Sequence, residues 1–250
     1  MEKEPLVSII TPLYNSEKFI AETIESVLSQ TYTNWEILIV NDCSKDSGAN
    51  IVEEYSKKDK RIKLFNNEKN MGVSFTRNRA IDLSQGKYIA FLDSDDLWNR
   101  EKLEKQIKMM EEKNISLSYT AYTKINEDGG LRGKIKVPKK VNYKELLKGN
   151  IMGCLTVVAK KDILKDSKFK QTKQEDYILW LELLKKVDFS YGLQESLAFY
   201  RVLNNSRSSN KVDLVKFNWK IYREVEKLSL MKSIHYFLIY LTRGIRRYMK

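Results

Sequence analysis

A chain of 250 residues with 42% hydrophobic, 11% aromatic and 31% charged residues has the composition of a folded protein with a sizeable core, one large domain or one domain with an appendage. Ten glycines and three prolines exclude collagen-like and linker-rich chains, and two cysteines far apart, Cys43 and Cys154, exclude a disulfide framework and a paired-ligand zinc site. The net charge of +12 is uneven, because residues 201–250 hold 12 Lys/Arg against 3 Asp/Glu, so the basicity belongs to the tail.

Met1 to Pro5 is charged and leads straight into Leu6-Val7-Ser8-Ile9-Ile10 without an apolar stretch of signal-peptide length, which predicts a cytoplasmic chain with reduced thiols. Strands are predicted over Leu6–Thr11, Trp35–Val40, Ile62–Phe65, Lys87–Leu92 and Ile115–Tyr122, alternating with segments of helical spacing. The first helix starts near Ser16, read as its N-cap, and carries Phe19, Ile20, Ile24, Val27 and Leu28 on one stripe. Ser47–Lys58, Val73–Ser84 and Asn99–Lys113 supply the next three. This pattern predicts a Rossmann-like α/β fold with a mostly parallel sheet flanked by helices. Asn126-Glu127-Asp128-Gly129-Gly130 is turn chemistry, followed by a short helix (Tyr143–Leu147), a strand (Leu155–Ala159) and a strong helix (Glu175–Lys186). From about Val212 helical spacing resumes, with Leu214, Val215, Trp219, Tyr222 and Val225 as one stripe and Ile234, Phe237, Leu238, Leu241 and Ile245 as another. The longest apolar run there, Tyr236–Leu241, is far short of the ~18 to 20 residues of a membrane span.

Ligands of open parallel sheets bind beyond the carboxyl ends of the strands, and here four of those ends carry polar chemistry. They are Thr11-Pro12-Leu13-Tyr14-Asn15, then Asn41-Asp42-Cys43-Ser44-Lys45-Asp46, then Asn66-Asn67 running to Asn70-Met71-Gly72, then Asp93-Ser94-Asp95-Asp96. An Asp-x-Asp pair is common by chance, and its placement directly after the apolar run Tyr88–Leu92 is what gives it weight. Two readings of that cluster stand side by side: an N-cap for the helix from Asn99, or a divalent-cation site with positions left for substrate phosphates. Asp42, as an acceptor, suits a uracil N–H, and Arg77 suits a base or a phosphate unless it is a solvated helix charge. No Gly-x-Gly-x-x-Gly follows the first strand and no Gly-x-x-x-x-Gly-Lys-Ser/Thr occurs, which removes the main support for dinucleotide oxidoreductases and P-loop enzymes.

Taken together, Val7–Asn15, Asn41-Asp42-x-Ser44-x-Asp46, Asn70-x-Gly72 with Arg77-Asn78, and Phe91–Asp96 resemble the inverting GT-A glycosyltransferases of family 2. The resemblance continues through Gln174-Glu175-Asp176-Tyr177-x-x-Trp180 and Leu197-Ala198-x-Tyr200-Arg201, covering about residues 5–210. It implies a GT-A catalytic domain over 1–210, with a nucleotide-binding half (1–122) and an acceptor-binding half (123–210), and basic amphipathic helices over 211–250. By the same resemblance Thr11, Pro12, Tyr14 and Asn15 line the nucleotide, Asp42 reads the base, and Arg77 and Asp93 contact the nucleotide. Asp95 is the metal ligand, with Asp93 as its alternate, and Mn²⁺ or Mg²⁺ is the implied cofactor. Asp176 matches the catalytic base with Glu175 in reserve, and Asp96, Trp180 and Arg201 fall in the acceptor or phosphate region. Where family members often carry a histidine after the Tyr-Arg pair, this chain has Leu203, and its one histidine, His235, lies in the tail.

The implied reaction moves a sugar from a UDP-sugar to a hydroxyl of a glycan or polyprenyl-diphosphate-linked acceptor, with inversion, in cell-surface polysaccharide synthesis of the teichuronic acid type. A sugar-nucleotidyltransferase is the competing enzyme class, but it needs a Gly-rich basic loop after the first strand, and Thr11–Asn15 is neither. A nucleic-acid-binding protein would use the basic tail, but a carboxylate-rich crevice repels phosphate and the tail aromatics fall on apolar stripes. For the tail three readings remain open: attachment to an anionic membrane surface at the inner face of the plasma membrane, packing on the catalytic domain, or a homodimer contact.

Overall fold

The computed structural model describes residues 4–203 and 211–248, with the side chains of 211, 212 and 244–248 left aside. The expected domain boundary at 210 and the place of Ile245 on its stripe lie outside the described residues or side chains.

Ten strands form one sheet: β1 (Val7–Leu13), β2 (Trp35–Asn41), β3 (Ile62–Asn66), β4 (Tyr88–Phe91), β5 (Leu97–Trp98), β6 (Leu117–Ile125), β7 (Leu131–Ile135), β8 (Lys140–Val141), β9 (Val158–Lys160) and β10 (Ser190–Arg201). Their order is β3-β2-β1-β4-β9-β6-β10-β5, with β7 on β6 and β8 on β10. The pairs β3/β2, β2/β1, β1/β4 and β6/β10 are parallel. Antiparallel β9 sits between β4 and β6, and β5, β7 and β8 are antiparallel too. The mostly parallel sheet expected from the first 120 residues is present in β3-β2-β1-β4, and the pairing beyond β4 is mixed.

Eight helices, α1 (Ile20–Leu28), α2 (Gly48–Lys58), α3 (Val73–Leu83), α4 (Lys102–Glu112), α5 (Tyr143–Leu146), α6 (Glu175–Leu183), α7 (Lys211–Lys220) and α8 (Leu230–Tyr248), complete the described chain, with short 3₁₀ turns at Cys154–Thr156 and Lys161–Leu164 and a π-helical turn at Ile221–Val225. Strand alternation explains the two cores. In β2, Ile37 and Ile39 point into the layer formed with Ile20, Ile24, Val52, Leu103 and Ile107, while Leu38 and Val40 point to the opposite layer with Ala80, Tyr177 and Ile221. Both faces are covered, so the strands read as continuous apolar runs.

Two local expectations change. Ser16 contributes its carbonyl, not its hydroxyl, to the start of α1, accepting from the Phe19 and Ile20 amides, and the hydroxyl donates to the Tyr14 carbonyl. The predicted strand Leu155–Ala159 splits into the 3₁₀ turn and β9.

Candidate active site

Each loaded loop emerges from the carboxyl end of one of the parallel strands β1 to β4, and short-range hydrogen bonds stitch the loops together. The Asn15 amide donates to Ser44 Oγ at 3.1 Å and Asn15 Oδ1 accepts from the Lys45 amide at 2.8 Å, tying the β1 loop to the β2 loop. Asp46 receives the Glu17 amide at 2.8 Å and Glu17 in turn receives the Ser47 amide at 2.9 Å. Asp42 is 3% exposed, and its carboxylate accepts from Asn67 Nδ2 (2.7 Å), the Met71 amide (2.8 Å) and the Gly72 amide (2.8 Å). Gly72 has φ +84, a left-handed turn that glycine adopts without strain, so one carboxylate folds the β3–α3 loop over itself. Tyr14 stands about half exposed beside these loops, while Thr11 is fully buried and its hydroxyl finds no partner among the described residues.

The acidic cluster after β4 divides its labour. Asp93 accepts from Arg77 Nη2 at 2.6 Å. Asp96 is 1% exposed and accepts the Arg201 amide at 2.8 Å, and its own carbonyl and that of Ser94 receive Thr23 Oγ1. Burial, with Asp95 and Asp93 close by, pushes Asp96 well above the usual carboxylate range. Asp95 is pushed up to about 6, first by burial and then by Asp93. Among the described residues no side chain donates to its carboxylate, whereas Asp93 is held by Arg77 and Asp96 by the Arg201 amide.

Arg77 and Arg201 sit differently from the solvent-facing cations that a phosphate contact suggests. Arg77 bridges Asp93 and Glu175, the latter at 2.9 Å through Nη1, and its guanidinium lies 5.2 Å over the Phe169 ring. Arg201 donates to the Asp95 carbonyl (2.9 Å), the Glu127 carbonyl (2.6 Å) and the Glu22 carboxylate (2.6 Å). Arg77 donates through both Nη atoms while its buried Nε finds no partner among the described residues, and Arg201 donates through all three guanidinium nitrogens, so each acts on the site by holding its backbone and carboxylates. Trp180 is also internal, packed against Phe91 and Phe169 with ring centroids at 5.3 and 6.1 Å, beneath the position expected to meet an acceptor.

Glu175 and Asp176 open α6, where the helix N-terminus favours carboxylates. Their environments differ: Glu175 is paired with Arg77, while Asp176 accepts the Tyr177 amide at 2.7 Å and Asn150 Nδ2 at 3.2 Å and is pushed up to about 6, by burial first and Glu175 second. Asn150 carries no motif, and nothing local in the sequence marks it. Glu22 of α1 pairs with Arg201 across 179 positions, a contact that only the fold creates. His235 is exposed on α8, its ring against Tyr236, and Leu203 ends the described stretch after β10.

Among the described residues no three His, Cys, Asp or Glu side chains converge as a metal-binding group. A hard divalent cation nevertheless fits Asp95, whose desolvated carboxylate has its own backbone amide but no described side chain as donor and gains from an adjacent positive charge, provided substrate oxygens and water complete the shell.

A family model described as Glycosyl transferase family 2 matches residues 8–165. The chain is 42% identical over 246 residues to the putative teichuronic acid biosynthesis glycosyltransferase TuaG of Bacillus subtilis, covering 98% of each. It is also 42% identical over 244 residues to the UDP-Glc:alpha-D-GlcNAc-diphosphoundecaprenol beta-1,3-glucosyltransferase WfgD of Escherichia coli, covering 97% of this chain and 95% of the relative. Among solved structures, TarS 1–349 of S. aureus in complex with UDP-GlcNAc superposes with a TM-score of 0.75 at 22% identity, over 96% of this chain and 72% of that one. At that identity the likeness is one of fold.

Proposed function

The chain belongs to family 2 of the glycosyltransferases and has their GT-A fold; from that premise we propose that it transfers a sugar from a UDP-sugar to a hydroxyl of a lipid-diphosphate-linked glycan, in the synthesis of a cell-surface polysaccharide. The observation that carries the reading is the separation of two neighbouring carboxylates. Arg77 engages Glu175, and Asp176 is left at the crevice with its carboxyl pushed up to about 6, close to the operating pH of a general base.

The residues then act as follows. An acceptor hydroxyl is a weak nucleophile, and Asp176 takes its proton as the bond to the anomeric carbon forms. Attack opposite the leaving diphosphate inverts that carbon, so an α-linked donor gives a β-glycoside; the relative WfgD is named for a β-1,3 product. Asp42 and the Asn15–Ser44 bond hold the loops that receive the uridine, with Thr11, Pro12 and Tyr14 alongside. A divalent cation, Mn²⁺ or Mg²⁺, held by Asp95 with Asp93 as neighbour would offset diphosphate charge. Arg77 and Arg201 shape this region from within, keeping Asp93 and the Asp95 backbone in place. Asp96 does the same through the Arg201 amide.

The α8 helix supports a second part of the reading, attachment to an anionic membrane surface on the side where nucleotide sugars are available. One side of α8 packs through Tyr236 and Phe237, and the other presents Leu230, Met231, Ile234 and Leu238. Leu230–Tyr248 contains no Asp or Glu, and no helix among the described residues is long and apolar enough to cross a membrane. A groove of about 450 Å³ between α5 and α8 has Leu147, Leu228 and Met231 with Lys144 and Lys232 in its lining.

The test is a panel of nucleotide sugars, including UDP-glucose and UDP-N-acetylglucosamine, measured for thermal stabilisation and for UDP release with and without Mn²⁺ or Mg²⁺. Stabilisation and turnover confined to uridine donors are expected. Release from no member of the panel, in the presence of GlcNAc-diphosphoundecaprenol, would overturn the reading.

A further inference from the structure

Between α5 and the 3₁₀ turn at Cys154 the chain runs without regular structure, yet it is fixed at several points. The Tyr177 hydroxyl donates to the Leu146 carbonyl at 2.9 Å and the Tyr222 hydroxyl to the Leu147 carbonyl at 2.6 Å. Gly149 has φ +130 and lies against the Tyr240 ring, where an added Cβ would come within 3.4 Å of Cδ2. These contacts come from α6, the π-helical turn and α8, so the segment is held by the catalytic helix and the C-terminal helices together.

Asn150 follows directly. Its Oδ1 accepts from the Met152 amide at 3.0 Å, which orients the side-chain amide and leaves Nδ2 directed at Asp176 Oδ2, 3.2 Å away. The other Asp176 oxygen receives the Tyr177 amide. The remaining charged or titratable groups around Asp176 are Glu175 on its own helix, Arg77 of α3, Asp93 after β4 and Cys154 of the 3₁₀ turn. None of these donates to the Asp176 carboxylate, so among the described side chains its donor is the neutral amide of Asn150. A carboxylate anchored at one oxygen by the backbone still rotates about its side-chain torsions. A second anchor at the other oxygen sets the plane in which its free lone pairs point.

We propose that Asn150 is a positioning residue, which holds the Asp176 carboxylate in the orientation that receives the acceptor proton. The proposal rests on Asp176 being the base. An ill-placed base is costly, since displacements of about 1 Å in a reacting group lower rates by up to ~100-fold.

The experiment is a double-mutant cycle on the full chain, following UDP release from UDP-glucose and from UDP-N-acetylglucosamine and counting hydrolysis by water as well as transfer. Asn150→Leu keeps the volume but has neither the donor for Asp176 nor the acceptor for the Met152 amide; Asn150→Ala removes the bulk as well. Each variant should lose roughly 10- to 100-fold in turnover, with UDP affinity by calorimetry and melting temperature close to those of the parent. In an Asp176→Asn background Asn150→Ala should cost nothing further, because the group it positions is gone. Parental turnover in both Asn150 variants would overturn the proposal, and so would an equal loss in both backgrounds. If Asn150→Ala does not fold, Asn150→Leu carries the cycle alone. An active Asp176→Asn single variant is a separate outcome, which removes the base assignment and this inference with it.

Discussion

Asp176 and Glu175 are adjacent in sequence and opposite in circumstance, and their difference is measurable. Asp176→Asn keeps size and shape but cannot take a proton, so turnover should fall ~100-fold or more while UDP affinity survives, whereas Glu175→Gln leaves the base in place and should show its main effect as destabilisation around Arg77. Catalysis needs the ionised form, so turnover should decline as pH falls through about 6, the value to which Asp176 is pushed. The stability effect has the other sign. The folded state binds the proton more tightly than the unfolded chain, so the ionised carboxylate costs stability at neutral pH and that cost is relieved as pH falls through the same range. Asp176→Asn should therefore melt above the parent at pH 7.5, by roughly 1 to 3 kcal/mol in a denaturation experiment. Asp42 predicts the reverse pairing of effects. Because its carboxylate gathers three donors from Asn67, Met71 and Gly72, Asp42→Ala should cost about 2 to 4 kcal/mol in urea denaturation and weaken UDP binding through the loosened loop. Wild-type stability with lost UDP affinity would instead mean that Asp42 acts on the base alone.

At the level of elements, α4 is tied by buried polar groups to β6, β5 and the 3₁₀ turn at Cys154–Thr156. Gln106 donates to Ser118 Oγ of β6 and to the Thr156 carbonyl, and Lys102, fully buried, donates to Gln106 Oε1 at 2.9 Å with its ammonium 4.2 Å over the Trp98 ring. Burial lowers the Lys102 amine to about 7. The unfolded chain then binds more protons than the folded one between that value and the ordinary lysine range, so stability should rise with pH from 7 toward 10. Lys102→Met should flatten that rise and stabilise the protein at pH 7 by roughly 1 to 3 kcal/mol, read from melts at several pH values. Most elements are legible in the sequence, since short apolar β-rich runs mark β1 to β4, period-3.6 spacing marks α1 to α4, and polar loops after the strands mark the site. β10 is not, although its Leu197–Arg201 end was noticed as a motif. Its register shifts between Leu193 and Ser196 and again before Ala198, around Gln194-Glu195, so no clean alternation survives in the sequence. The engagement of Arg77 and Arg201 was equally invisible, because their partners are set by long-range contacts and residue type alone favours a phosphate.

For the molecule as a whole, α8 is both a packed element and an unpartnered apolar face, and the two roles separate by residue. Trp219 meets Phe237 with ring centroids 5.2 Å apart, Tyr222 meets Tyr236 at 6.3 Å, and Tyr240 lies on Gly149. Truncation after Lys227 removes this cover from Ile221 and Tyr222, which are fully buried, and should lower the melting temperature sharply and turnover with it, since the segment bearing Asn150 loses its support. That result alone says nothing about membranes. Met231 and Leu238, 79% and 56% exposed on the outward face, allow the distinction, because Met231→Glu with Leu238→Glu leaves the packed face intact. The full chain should sediment with phosphatidylglycerol vesicles, less so as salt rises, and ignore phosphatidylcholine, in keeping with the basic sequence of α8 and the absence of carboxylates along it. The double variant should lose vesicle binding while keeping the parental melting temperature and its turnover of UDP-sugar by hydrolysis. A parent that ignores anionic vesicles, but shifts from dimer to monomer in light scattering when the same two residues are changed, would assign the face to a second copy of the chain instead.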